Sequence, residues 1–139
     1  LRAGTVLFHE LVAHGKNSGD NLTTRFSNAL NSLQTSLGLF VTADTYVGQN
    51  GYSLRLDGLE PGLNDRARER AIVVHGAPYV NEGVTRAMGR LGRSWGCPAV
   101  PLGVARALID TIKGGTAVFA YHPQRAGSAI TAAATLATR

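Results

Sequence analysis

The sequence predicts an α+β fold, mostly β, and three observations carry that reading. Residues 39–47 and 52–57 are β-prone, and the second alternates polar and apolar residues with period 2. Only residues 102–113 place apolar side chains at clear helical spacing. Glycine supplies 17 of 139 residues while only 17% of the chain is charged. Soluble domains average about 25% charged residues, so this balance suits strands, turns and close-packed loops better than a helical bundle.

Taken in order, residues 5–13 are β-prone and end at a turn-rich loop, residues 14–20. Residues 21–37 are polar, rich in Asn, Ser and Thr, and predicted irregular. Between strands 39–47 and 52–57, Gln49-Asn50-Gly51 carries the Asn-Gly pair that fits a hairpin turn. Residues 61–70 are charged and fit either a loop or a short helix. Residues 71–74 form a short apolar run that predicts a buried strand, with His75-Gly76 at its end. Residues 81–96, rich in Gly and Arg, are predicted to loop over the surface. In the 102–113 helix Val104, Leu108, Ile109 and Ile112 share a face, and Gly114-Gly115 stop it. Residues 116–121 predict a last strand, and 124–139 an Ala/Thr-rich linker or weak helix.

At this length one domain with a single core is expected. No run of about 18 apolar residues exists, so no membrane-spanning helix is expected. Leu1 stands where an initiator Met would, so the chain reads as a fragment or processed product, with any export signal outside it. Net charge is +5, and Arg supplies 12 of the 14 cations. That charge suits an anionic partner such as nucleic acid, an acidic lipid surface or an acidic wall polymer. The basic residues are scattered, however, and without interleaved aromatics nucleic-acid binding is not expected. One cysteine excludes an intrachain disulfide framework and a Cys-rich zinc site. With no close-spaced ligand pair among four His and one Cys, no metal site is expected.

That one cysteine, Cys97, is either a small buried hydrophobe or a reactive thiol. Gly96 before it allows a tight backbone and close approach of a substrate, and Pro98 after it fixes φ. Arg86, Arg90 and Arg93 stand upstream, and nearby cations lower a thiol pKa. His75 is the partner of choice. It follows an apolar strand, where an imidazole has no packing reason to be, and Gly76 leaves space beside it. Cys and His need only meet in the fold, and their 22-residue separation permits that. His9, His14 and His122 compete for the role, and His14-Gly15 repeats the dipeptide. Asn17, Ser18 and Tyr52 read as structural.

The string Ala71-Ile-Val-Val-His75-Gly76, followed by Gly92-Arg-Ser94-Trp-Gly96-Cys97-Pro98, resembles the catalytic domain of the murein L,D-transpeptidases (the YkuD-type fold) in the branch with a Ser-Trp-Gly-Cys-Pro motif. The likeness extends to residues 12–19, 36–42, 52–60, 64–68 and 112–115, and covers about 5–122. It implies a catalytic domain over 1–122 followed by an Ala/Thr-rich tail over 123–139. Other branches carry Ser/Thr-His-Gly-Cys with Arg or Asn two positions after the cysteine. Here Trp95 and Ala99 stand in those places, so a cationic contact to the donor must come from Arg93, Arg55 or Arg70.

The resemblance implies a β-sandwich with a helix packed on it, acting on peptidoglycan stem peptides. It makes Cys97 the nucleophile and His75 its base or imidazolium partner, with the ring held by the backbone carbonyl of Gly76. Backbone N–H groups of Gly96, Cys97 and Trp95 would form the oxyanion hole, and Ser94 and Arg93 would contact substrate. Trp95 reads more simply as packing under the loop, and Ser94 as a turn hydroxyl. The implied reaction releases D-Ala from a tetrapeptide stem through a thioester and forms 3→3 cross-links, with no cofactor. The same site would serve an L,D-carboxypeptidase or anchor a protein lysine to the wall. A non-catalytic peptidoglycan-binding module and an unrelated cysteine peptidase are the other readings. A monomer in the periplasm, or secreted to the cell envelope, is expected.

Overall fold

In the computed structural model, which describes residues 3–123, one five-stranded sheet organises the chain. Its strands are β1 (Gly38–Gly48), β2 (Gly51–Gly58), β3 (Val73–Ala77), β4 (Ala99–Pro101) and β5 (Ala117–Ala120), in the order β4-β3-β2-β1-β5. All neighbours are antiparallel except β3 and β4. The mostly-β class read from the sequence is the class observed.

The β1–β2 hairpin forms where the sequence places it, with Gly48 opposite Gly51. Its left-handed residue is Gly51, at φ 74°, so Gln49 and Asn50 turn ahead of the glycine rather than Asn50 sharing its conformation. A register shift between Thr42 and Thr45 puts a bulge in β1. Helix α2 (Leu102–Ile112) follows β4 directly and lies on the sheet. Ala105 and Ile109 are buried in the main core with Phe40, Leu54, Leu56, Val74 and Val100, and Leu108 and Ile112 pack against it. Ala105 takes the core place that the spacing gave to Val104.

This packing explains Gly76. A Cβ there would sit 2.9 Å from Ala105 Cβ and 3.1 Å from Leu102 Cδ2. The space that the bare backbone leaves beside His75 is taken by α2. All of β3 is buried, and His75 lies at its centre, paired with Ser53 of β2 and Ala99 of β4, rather than at its end.

Two other expectations need correction. Residues 5–13 form no strand: residues 5–12 are exposed or half-exposed, and only Ala13 reaches the sheet, as an isolated bridge to Ala99 at the β4 edge. Within the expected 81–96 loop stands a short helix, α1 (Glu82–Met88). It is capped by Asn81 Oδ1, which accepts from the Val84 N–H, and ended by Gly89 at φ 69°. None of its residues is buried, so it carries no apolar periodicity. Residues 21–37 are irregular as expected, and 61–70 run as successive turns. The readings for 124–139 lie outside the described residues.

Asn64 fixes those turns in place. It is fully buried; its amide donates to the Leu37 and Leu39 carbonyls, and its Oδ1 accepts from the Glu60 N–H. Asn64→Ala removes the side-chain partner of the buried Leu37 carbonyl and of the Glu60 N–H, while the Leu39 carbonyl keeps the Leu59 N–H. We expect it to cost about 3 kcal/mol of stability, measured by denaturant unfolding, and to loosen the segment that carries Arg70 and Ala71.

Candidate active site

A cleft of about 550 Å³ opens where the hairpin end, the start of β3 and the Cys97 loop meet. Tyr46, Gln49 and Asn50 border it from the hairpin, Arg70, Ala71, Val73 and His75 from the approach to β3 and the strand itself. Tyr79, Arg93, Ser94, Trp95 and Cys97 complete the lining. His75 and Cys97 thus share one cleft. His75 is the only histidine on its walls among the described residues; His14 and His122 lie together in a separate apolar cavity of about 520 Å³. Among the described residues no carboxylate lines the Cys97 cleft.

His75 is buried, and its Nδ1 lies 3.0 Å from the Gly76 carbonyl oxygen. A carbonyl only accepts, so the contact places the ring proton on Nδ1 and leaves Nε2 with a lone pair. His14 makes the same contact with Gly15, also at 3.0 Å. The dipeptide therefore builds a ring orientation, and the surrounding cleft decides whether it has chemical use.

The S–H of Cys97 points at the Ala71 carbonyl, 3.6 Å away, and the nearby backbone N–H of Val73 favours the thiolate. Ala71 sits at φ 53°, a left-handed conformation strained for a residue with a side chain. Burial pushes the thiol pKa up; the Val73 N–H and the charge of Arg70 oppose it without cancelling it. The expected lowering by Arg86, Arg90 and Arg93 is not what the fold provides. Arg86 pairs with Glu82, Arg90 bonds the Leu91 carbonyl, and the cation acting on Cys97 is Arg70. The wild-type thiol should accordingly react with iodoacetamide with a midpoint above the roughly 8.5 of a free cysteine. Its rate should climb through that midpoint as pH rises and the thiolate forms.

The loop itself is tied internally. Ser94 Oγ donates to the Cys97 carbonyl at 2.5 Å and accepts from the Gly96 N–H at 3.2 Å. Ser94 therefore acts as the turn hydroxyl, and the Gly96 N–H, one of the expected oxyanion donors, is already engaged. Arg93 lines the cleft with its guanidinium committed to the carbonyls of Gly19, Asp20, Leu91 and Gly92. It fastens the 19–20 turn instead of projecting toward a ligand. Arg55 pairs with Asp44 and stacks on Tyr46.

Trp95 does not pack under the loop. It is 76% exposed and forms an outer wall of the cleft. Ser18 is buried, and Tyr52 donates to Asp110, which makes both structural as expected. The sequence assigned no role to Ala71 and offered Arg70 only as one of three candidate contacts to the donor. Their position directly before a buried strand was the available signal.

A cysteine and a fixed histidine on one cleft are the constellation of nucleophilic acyl transfer. Residues 1–121 match the family model of the L,D-transpeptidase catalytic domain, and the chain belongs to that family. No curated protein and no solved structure matches it significantly.

Proposed function

We propose that the protein is a cysteine-dependent L,D-transpeptidase of peptidoglycan tetrapeptide stems, working in the periplasm or cell envelope. The observation that carries this is the placement of Cys97 in one cleft with its only histidine among the described residues, that ring being oriented by the Gly76 carbonyl.

His75 Nε2 takes the Cys97 proton as general base. A thiol held protonated by its surroundings favours this over a preformed imidazolium–thiolate pair. The sulfur attacks the carbonyl joining a diamino-acid residue to the terminal D-Ala. The N–H groups of Cys97 and Trp95 steady the oxyanion, since Gly96 is held by Ser94. Such donors are each worth about 10²–10³ in rate. As the C–N bond breaks, His75 returns the proton to the D-Ala amine and a thioester remains. The side-chain amine of a second stem attacks it, His75 takes that amine's proton, and thiolate departs to regain a proton. The product is a 3→3 cross-link. With no carboxylate among its described lining residues and the fixed positive charges of Arg70 and Arg93 at its walls, the cleft suits by its field, not by a free guanidinium, a donor whose terminus is a carboxylate.

Incubation with purified disaccharide-tetrapeptide, followed by mass spectrometry of the products, tests the reading. Cross-linked dimers formed with loss of D-Ala support it. Tripeptide monomer alone identifies an L,D-carboxypeptidase. Unchanged tetrapeptide with folded protein points to a binding module.

A further inference from the structure

Arg70 makes four hydrogen bonds, and every acceptor is neutral. Its Nη1 donates to the Ser27 carbonyl at 2.8 Å and to Ser36 Oγ, its Nη2 to Ser32 Oγ at 3.1 Å and the Gln34 carbonyl at 2.6 Å. Arg55, Arg66, Arg68 and Arg86 each pair with a carboxylate; Arg70 does not. It is half-buried, and it borders the cleft that holds Cys97. Its Nη2 lies 3.3 Å from where a Cβ on Gly96 would stand. A half-buried guanidinium without a counter-ion is costly. Neutral acceptors fix its position yet leave its charge intact, in a cleft lined by no carboxylate among the described residues.

We propose that Arg70 is a positioning residue with an electrostatic task. Its immobilised positive charge is the counter-charge for the negative charge that develops on Cys97 Sγ, and its hydrogen bonds hold the 27–36 segment against the Gly96–Cys97 turn. The inference deepens the proposed function and rests on Cys97 being the nucleophile. Electrostatics agree in direction. Burial lowers the Arg70 pKa, as it must for an uncompensated cation, while the charge of Cys97 raises it; reciprocally, Arg70 favours the thiolate. The other titratable or charged groups on the cleft are His75 on β3, Tyr79 beyond it, Arg93 on the cysteine loop and Tyr46 on β1. None of them changes in the variants below.

The test is the pH dependence of iodoacetamide alkylation between pH 7 and 11, unambiguous because Cys97 is the only thiol in the chain. Arg70→Gln removes the charge and should raise the midpoint by about one unit, slowing alkylation at pH 7 about tenfold. Ser32→Asp leaves Arg70 in place, keeps an acceptor for Nη2 and neutralises the cation, and should raise the midpoint in the same direction. It decides the matter even where Arg70→Gln does not fold. Arg70→Lys, which keeps the charge but not the four-point clamp, should melt earlier while retaining a midpoint near wild type. A folded Arg70→Gln or Ser32→Asp protein with the wild-type midpoint overturns the proposal and leaves Arg70 as a loop fastener. Alkylation needs no stem peptide, so a shifted midpoint in a protein that turns over no tetrapeptide would uphold this inference while defeating the proposed substrate.

Discussion

Cys97→Ala is expected to fold and to release no D-Ala, and His75→Ala to slow acylation by about 10²–10⁴-fold. The two losses differ because the residues act at different points. Without the sulfur no thioester forms, and nothing else on the cleft walls is a comparable nucleophile at neutral pH. Without the imidazole the sulfur remains, still directed at the Ala71 carbonyl, but its proton must leave to water against a pKa that burial has raised. The controls differ as well. Cys97 is only half-buried, so truncation to Ala should cost about 1 kcal/mol. His75 is buried within β3, and its loss strips the Gly76 carbonyl of a partner, which should cost about 2 kcal/mol more. Thermal melts of both variants, run beside the rate assay, separate lost chemistry from lost fold.

Gly96→Ala should be the most damaging single-methyl change at the site. The residue sits at φ 115°, where a side chain is strained, and its Cβ would stand 2.8 Å from the Gln34 carbonyl oxygen. Arg70 Nη2 and Ile72 Cδ1 would both lie at 3.3 Å. Relief requires moving either the Cys97 turn or the backbone that Arg70 clamps, so the sulfur is displaced in both cases. We expect a stability loss of about 2–4 kcal/mol and loss of D-Ala release even in the folded fraction. Gly103→Ala is the matching control. It lies in α2 with nothing within 4 Å of the added Cβ, and should be neutral or stabilising by about 0.5–1 kcal/mol.

Local sequence patterns reported local structure well. The hairpin was legible because its turn and alternating flank lie within twenty residues, and α2 because its apolar spacing and the double glycine after it agree. His75 and Cys97 were legible as types of residue, and their juxtaposition follows from β3 and β4 being parallel neighbours. Where the pattern misled, a partner was missing. Residues 5–12 have strand composition, but the β4 edge accepts only Ala13. Helix α1 leaves no apolar pattern because it buries nothing and is held by its caps and the Glu82–Arg86 pair. Arg70 could not be placed because its acceptors lie 34–43 residues away and consist largely of backbone carbonyls and hydroxyls, which leave no charge pattern in the sequence. Trp95 shows the opposite error, since a large aromatic in a tight motif suggests packing and this one faces solvent. The space that Gly76 leaves admits α2, and the close approach expected at Gly96 is that of the Gln34 carbonyl rather than a substrate.

The most direct test is the intact mass of the wild-type protein shortly after mixing with a tetrapeptide donor in the absence of an acceptor. The account predicts an added mass equal to the donor less D-Ala, mapped by digestion to Cys97 and absent from Cys97→Ala. A folded protein whose Cys97 alkylates normally, yet which gains no mass and leaves the tetrapeptide intact, would contradict it.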